Sequence, residues 1–524
     1  MSKVSNIWIE LKRRKVIRVA VAYIVVAWLM VEVSSVMFPG LHLPEWTVTL
    51  VIALAVLGFP VSLALAWALD VTPEGIKLES DQAKLSESAV AKATISGDSR
   101  SSVAVLPFVN LSNDPDNEYF SDGISEELLN LLCKVPTLTV ASRTSSFSFK
   151  GQNVDLATVA SKLEVDVILE GSVRRSGDRV RITAQLIDGA TDRNLWSANY
   201  DRQLRDVFEV QDEIAQNIVD ALKISLSPDQ RQLIRPMSTT SNVMAYDFYL
   251  RGRYFLERSD SDNALVMFEK AVEQDNQFAA GYAGIAESYA WKFLWVDSDS
   301  GYVTAANEYS ALALEKSPDS AEAHAARCLT LAMSKQFKEA IAEAEKAIAI
   351  DPRLYEAYYY KGRAHFANGE YSAAADAFEG ALEIRPDDNI SASLLSTTVN
   401  SFGTEAEKRA ASQRAVEISE RYLSLNPDDA VALSRTANDY VYLGEIEKGL
   451  ELAERAYNIN PKYCGYNVAC AFMLAGRTEA ALDYLDEHSR LRSLDSAWIE
   501  HDSDWDEVRD HPRFKALLER LRSG

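Results

Sequence analysis

The sequence predicts a multidomain chain made of an α-helical transmembrane hairpin, an α/β sandwich and an all-α superhelical solenoid. Three observations carry this. Two long apolar runs near the N-terminus hold almost no charge, residues 101–228 switch repeatedly between strand-like and helix-like periodicity, and proline recurs at near-constant spacing through the C-terminal half. At roughly 150 residues per domain, 524 residues make three to four units.

Composition narrows the function classes. Hydrophobic residues make up 47% of the chain, enough for folded cores. The net charge of −23 has the wrong sign for a protein that neutralises phosphates, so nucleic acid is not an expected partner. The four cysteines, Cys133, Cys328, Cys464 and Cys470, form no C-x-x-C pair and read as small buried hydrophobes. Residues 1–78 carry seven Lys/Arg against five Asp/Glu, so the remainder of the chain is strongly acidic.

Val16–Phe38 contains only Arg18 and Glu32 as charges, and Trp46–Leu69 contains none. Each is long enough to cross about 30 Å of hydrocarbon at about 1.5 Å per residue. Trp46 and Trp67 bracket the second run where interfacial aromatics belong, and the joining PGLHLPE suits a tight hairpin. Lys3, Lys12, Arg13, Arg14, Lys15 and Arg18 precede the first run, whereas the joining loop has no Lys or Arg. The positive-inside rule therefore places the basic N-terminus (1–15) and the body in the cytoplasm, with two spans in the inner membrane. Glu32 reads as a polar contact between the two spans. Residues 78–100, rich in Ser, Ala and charge, form a linker.

In residues 101–228 the pattern reads β-α-β-α-β-β-α: SSVAVLPF, ISEELLNLLCKV, LTVASRTSSF, LATVASKLEV, VDVILEGSVRR, RVRITAQLID and VFEVQDEIAQNIVDALKISL. The segments AVLPFVNLSNDPDNEYFSDGISEELLNLL, SRTSSFSFKG and DVILEGSVRRSGDRVRITAQLID resemble the TolB amino-terminal-like (FlgO-like) domain. In that family the domain accompanies envelope proteins, or sits between adenylate cyclase or winged-helix output domains and helical repeats. The resemblance carries over no catalytic residue. Asn113–Glu118 lacks the Gly and Glu of a calcium loop and reads as a polar turn leading to a helix start near Ser121 and Asp122. Ser142–Ser146 reads as a structural turn rather than an anion cradle.

Residues 245–488 repeat. Pro318, Pro352, Pro386, Pro427 and Pro461 are spaced by 34, 34, 41 and 34 residues, the tetratricopeptide period. Gly252, Ala264, Phe268 and Ala271 in the first unit match Gly362, Ala374, Phe378 and Ala381 in the fourth. Glycine and alanine let paired helices approach, Phe378 fills the space under the next unit, and proline ends the second helix. The second unit holds eight extra residues and the fifth seven. Residues 489–524 resemble the cap that closes such arrays, because each repeat buries its core only against neighbours. Within it, His501, Asp502, Asp504, Asp506, Asp510 and His511 read as cap surface rather than a metal site.

The resemblance to tetratricopeptide arrays implies a concave groove lined by the first helix of each unit. Its candidate partner-binding residues are Tyr249, Arg253, Tyr359, Arg363, Phe366 and Asn438, Tyr and Arg being frequent interface anchors. No phosphate loop, paired-glycine fingerprint or nucleophile motif accompanies them. The expected function is a non-catalytic membrane-anchored scaffold or adaptor recruiting a protein partner, with no cofactor or metal and with the oligomeric state open. The alternative is a ligand-sensing or regulatory protein acting through the TolB-like domain, as an accessory to a separate adenylate cyclase-type signalling enzyme.

Overall fold

The computed structural model describes residues 101–523 with short interruptions, the longest at 225–239, and a hairpin within 69–78. Apart from Ala53, Leu69 and Leu78, the expected spans and linker lie outside the described residues. Among the described residues no helix is long and apolar enough to cross a membrane. Residues 1–99 and 100–524 are separate compact units. In the first, β1 (Leu69–Thr72) and β2 (Gly75–Leu78) pair antiparallel, with Leu69 opposite Leu78.

The second unit opens with β3 (Ser101–Val105), β4 (Val109–Asn110) and helix α1 (Glu118–Cys133). It continues through β5 (Leu138–Val140), α2 (Arg143–Phe147), α3 (Leu156–Leu163), β6 (Val167–Ser176), β7 (Arg179–Asp188), β8 (Arg193–Gln203) and α4 (Val207–Ala221). The sheet order is β5-β3-β6-β7-β8, with β4 also on β6. β3 runs parallel to β5 and β6, while β6, β7 and β8 are antiparallel. Val180, Ile182, Ala184 and Leu186 on β7 are buried at period two and face α1 and α4. Phe149, Val159, Ala160 and Ile168 make a second core on the other face.

The structure adds elements the periodicity does not predict. β8 is an edge strand in which only Tyr200 is buried, so no apolar alternation marks it. The hydroxyl-rich SRTSSF segment leaves the sheet after Val140 and becomes α2, because the Ser142 side chain caps the Ser145 N–H. A 3-10 turn at Pro115–Asn117, capped by Asp114, starts α1 at Glu118 rather than near Ser121.

The solenoid pairs α5 (Val243–Leu256) with α6 (Ser261–Gln274), α7 (Ala279–Trp295) with α8 (Ser300–Lys316), and α9 (Ala321–Met333) with α10 (Phe337–Ile350). The pairs α11 (Tyr355–Ala367) and α12 (Tyr371–Ile384), α13 (Asn389–Phe402) and α14 (Glu405–Leu425), α15 (Ala430–Tyr442) and α16 (Ile446–Ile459), and α17 (Pro461–Leu474) and α18 (Thr478–Leu491) follow. The long units keep the repeat in phase. Unit two lengthens both its helices to 17 residues, and unit five lengthens α14 to 21. Seven or eight extra residues are about two helical turns, so the buried face is preserved.

Phe268 shows how the units lock together. A Cβ on Gly252 of its own unit would lie 2.5 Å from the ring, and one on Gly284 of the next unit 2.6 Å. Phe378 meets Gly362 likewise, at 2.7 Å. Gly362→Ala is therefore expected to destabilise the chain by about 1 kcal/mol, overpacking outweighing the gain of about 1 kcal/mol from helix propensity. Urea denaturation checks it, and Phe378→Leu in the same background should recover part of the loss.

The cap does more than close the last unit. Helix α20 (Pro512–Ser523) packs on α18, but α19 (Ser496–His501) and the 3-10 turn Ser503–Val508 fold back over the first helices of earlier units. Lys335 Nζ reaches Ser496 Oγ at 3.0 Å, and the Tyr371 hydroxyl donates to the His501 carbonyl at 2.7 Å.

Candidate functional site

The inner face of the solenoid is covered by the chain itself. Helix α1 is buried on both sides. Leu128, Leu129, Leu131 and Leu132 enter the sheet core, while Glu126, Glu127, Asn130 and Lys134 face the repeats. With the first helices of units one to four, α1 borders a cleft of about 180 Å3 that is open to solvent.

Charge joins the two halves. Asp247 of α5 accepts from Arg175 Nη1 of β6 at 2.5 Å, from the Tyr119 hydroxyl of α1 at 2.6 Å and from Arg251 Nη2 at 3.1 Å. Burial and the Asp247 carboxylate push the Tyr119 phenol up to about 12. Asp122 pairs with Lys150 at 2.5 Å and with Arg258 of the first unit at 3.2 Å. Lys134 meets Asp351 at 3.2 Å, and Arg353 donates to the Cys133 carbonyl. The Ser142 N–H at the start of α2 donates to Asp387 at 2.9 Å, so this hydroxyl-rich turn holds a carboxylate from the chain's own fourth unit. Burial raises the Asp387 pKa, which the Ser142 N–H partly offsets.

The sequence-derived groove residues divide into two groups. Tyr249 and Arg253 line the cleft. The Tyr249 ring packs against Tyr246, Phe268 and Phe278, and Arg253 pairs with Glu287 at 3.1 Å and Glu126 at 3.6 Å. Tyr359, Arg363 and Phe366 lie together near the cap. Trp498 of α19 stands 4.2 Å from the Phe366 ring, and the Arg363 guanidinium lies 5.3 Å from the Trp498 ring while donating to the Tyr359 hydroxyl at 3.3 Å. Phe366 is wholly buried and acts as core. Asn438 is buried on α15, with no hydrogen-bond partner for its Oδ1 among the described residues. Residue patterns do not single out Glu127, Asp247 or Trp498.

All four cysteines are buried and free. The acidic stretch of the cap separates on folding. Asp506 pairs with Arg509 and Asp510 with Lys515, while Asp502 and Asp504 turn inward to lie within 4.8 Å of Cys470 Sγ, measured between ligand atoms. Asp502 accepts from the Tyr466 hydroxyl at 2.7 Å and the Asp504 N–H at 3.1 Å; Asp504 accepts from the Tyr442 hydroxyl. These bonds tie the cap to α15 and α17.

Nearby, Asp439 is fully buried, and neither carboxyl oxygen has a well-formed hydrogen bond. Burial pushes its pKa up to about 8, the Ser396 and Ser393 hydroxyls offsetting only part of the rise. The unfolded carboxyl ionises near pH 4 while the folded one keeps its proton, so its contribution to stability falls as pH rises to about 8 and then levels off. Asp439→Asn should gain stability over wild type by an amount that grows with pH, from about 2 kcal/mol at pH 5 to about 5 kcal/mol at pH 8, read by urea denaturation at each pH.

Residues 331–396 match the family model described as tetratricopeptide repeat. Residues 99–221 match that of the HilA/YgeH-like transcriptional regulator, second domain, a description other than the TolB-like one. Over 244 residues the chain is 36% identical to "Putative adenylate cyclase 3" of Rhizobium meliloti (strain 1021), covering 46% of this chain and 41% of that protein. It thus spans about two-fifths of that relative's length. Among solved structures, a thermophilic TPR protein of Thermus thermophilus is 20% identical with a TM-score of 0.30, covering 36% of this chain and 98% of its own. YrrB, described as a TPR protein with an unusual peptide-binding site, is 21% identical with a TM-score of 0.27, covering 41% of this chain and 97% of its own. The helical array is a tetratricopeptide solenoid, a fold of protein-interaction adaptors, preceded by a sheet domain.

Proposed function

We propose that this chain is a non-catalytic adaptor, anchored in the inner membrane by Val16–Phe38 and Trp46–Leu69, that recruits a protein partner through its solenoid. The observation that carries the reading is the inner face itself. Its Tyr and Arg side chains engage protein surface, here helix α1 and the cap. Much of the contact with the sheet domain is ionic, so a competing polypeptide with matching charge has a surface to exchange onto. The two apolar runs and the basic residues before the first support anchoring with the body in the cytoplasm. The test is native co-purification from gently solubilised membranes, beside a Tyr359→Ala/Arg363→Ala variant. A cytoplasmic protein retained by the wild type and lost by the variant supports the reading; equal recovery from both overturns the groove assignment. A fluorescent C-terminal fusion tests orientation, because it should fluoresce only from the cytoplasm.

The second reading is a regulatory accessory of a separate adenylate cyclase-type enzyme, acting through a TolB-like sheet domain. The 36% identity to a putative adenylate cyclase favours it. Cyclase activity that changes when the chain is deleted would distinguish it.

A further inference from the structure

The cap turns three ligand-type side chains into the protein interior at one point. Cys470 Sγ of α17 and one carboxylate oxygen each of Asp502 and Asp504 lie within 4.8 Å of one another, and all three residues are buried. A fourth acid stands beside them. Asp439 of α15 is fully buried, and neither of its carboxyl oxygens has a well-formed hydrogen bond among the described residues. It shares a helix face with Tyr442, three residues on, whose hydroxyl donates to Asp504, and its charge acts on Asp504 directly. Cations are short here. Arg509 is paired with Asp506 at 3.1 Å while its Nη2 donates to the Asp502 carbonyl at 2.7 Å, and Arg435 is the cation that acts on Asp439. The four acids, once ionised, thus leave at least two negative charges uncompensated in a low-dielectric setting, and a divalent cation supplies two.

We propose that Cys470, Asp502 and Asp504 bind a zinc ion that fastens the cap to the last repeat. A thiolate selects zinc over magnesium and calcium, which are hard cations that take oxygen ligands. Zn–S of about 2.3 Å and Zn–O of about 2.1 Å put tetrahedral ligand atoms about 3.5 Å apart, so a contraction of about 1 Å closes the set. The carboxylates are already oriented. The Tyr466 hydroxyl donates to Asp502 at 2.7 Å and that of Tyr442 to Asp504, the outer hydrogen bonds that hold metal-ligating carboxylates in place. Binding displaces the thiol proton to solvent, so affinity rises with pH. The competing arrangement keeps all protons on the thiol and carboxyls. It satisfies Asp502 and Asp504 but gives Asp439 nothing, whereas a cation beside Asp504 attracts the Asp439 carboxylate as well.

The test uses full-length protein purified in detergent from cells grown with added Zn2+ and stripped of loosely held metal on a chelating resin. Elemental analysis is expected to give about one zinc per chain, falling at least tenfold in Cys470→Ser and in Asp504→Asn. Tyr442→Phe keeps every ligand and removes one outer hydrogen bond, so it should weaken zinc binding about tenfold. Cys328→Ala, in another unit, should leave the zinc content unchanged. Cells grown with Co2+ should yield protein with a thiolate-to-cobalt charge-transfer band that Cys470→Ser abolishes, a signature that packing alone does not produce. The stability gain given above for Asp439→Asn belongs to metal-free protein; with zinc bound it should shrink, because the substitution removes a charge that the ion attracts. Wild-type protein holding less than about a tenth of an equivalent of zinc, or zinc retained in full by both Cys470→Ser and Asp504→Asn, overturns the proposal and leaves a cap held by protonated acids. Metal content is read on purified protein alone, so it stands or falls separately from partner recruitment.

Discussion

Replacing Asp247 by alanine is expected to destabilise the protein by about 3–5 kcal/mol, the cost of stripping a buried charge of its partner. Asp247 is 3% exposed and takes three donors from both sides of the boundary between sheet domain and solenoid. Without it, the Arg175 guanidinium keeps the Tyr119 hydroxyl at 2.8 Å and the Phe120 ring at 5.3 Å, neither of which balances its charge. Urea denaturation should show the sheet domain and the solenoid beginning to unfold in separate steps. Exchanging the pair together, Asp247→Leu with Arg175→Met, should recover much of the loss, since an apolar pair of similar volume leaves no charge to compensate. A loss below about 1 kcal/mol in the single variant would show that this cluster does not hold the halves together.

Trp505→Ala should cost about 3–5 kcal/mol and release the cap. Among the described residues Trp505 is the largest fully buried side chain, stacked on Phe514 at 5.6 Å, and its Nε1–H donates to the Tyr466 hydroxyl at 3.1 Å. That hydroxyl in turn donates to Asp502, so the deletion opens a cavity and loosens a hydrogen-bond chain together. Trp498→Ala provides the contrast. It removes one ring over Phe366 and should cost only about 1–2 kcal/mol. Thermal denaturation of both variants in the full chain separates the two roles. Equal losses would mean that Trp498 holds the cap as strongly as Trp505 does.

Local pattern makes much of this fold legible. Proline every 34 residues, with Gly and Phe at matched positions, specifies helix pairs, because steric fit such as Gly362 against Phe378 lies within one unit. Alternation on β7 specifies a strand with one buried face. β8 is silent because an exposed edge strand needs no apolar stripe, and α2 because a single serine cap outweighs the β-branched run before it. Tyr249 and Arg253 are legible as inner-face residues from repeat position alone, whereas the partners that cover them are not.

What the sequence by itself determines, then, is the succession of two apolar runs, a strand-and-helix segment and a helical array of near-constant period, all set by interactions reaching only a few residues or one repeat. Only the tertiary structure decides that the array closes on its own sheet domain and folds its cap back over the inner face. Arg175 meets Asp247 across 72 residues, and Ser142 meets Asp387 across 245. Charge complementarity at such separations leaves no periodic trace, since an acidic residue on α1 reads alike whether it faces water, a cation or another carboxyl.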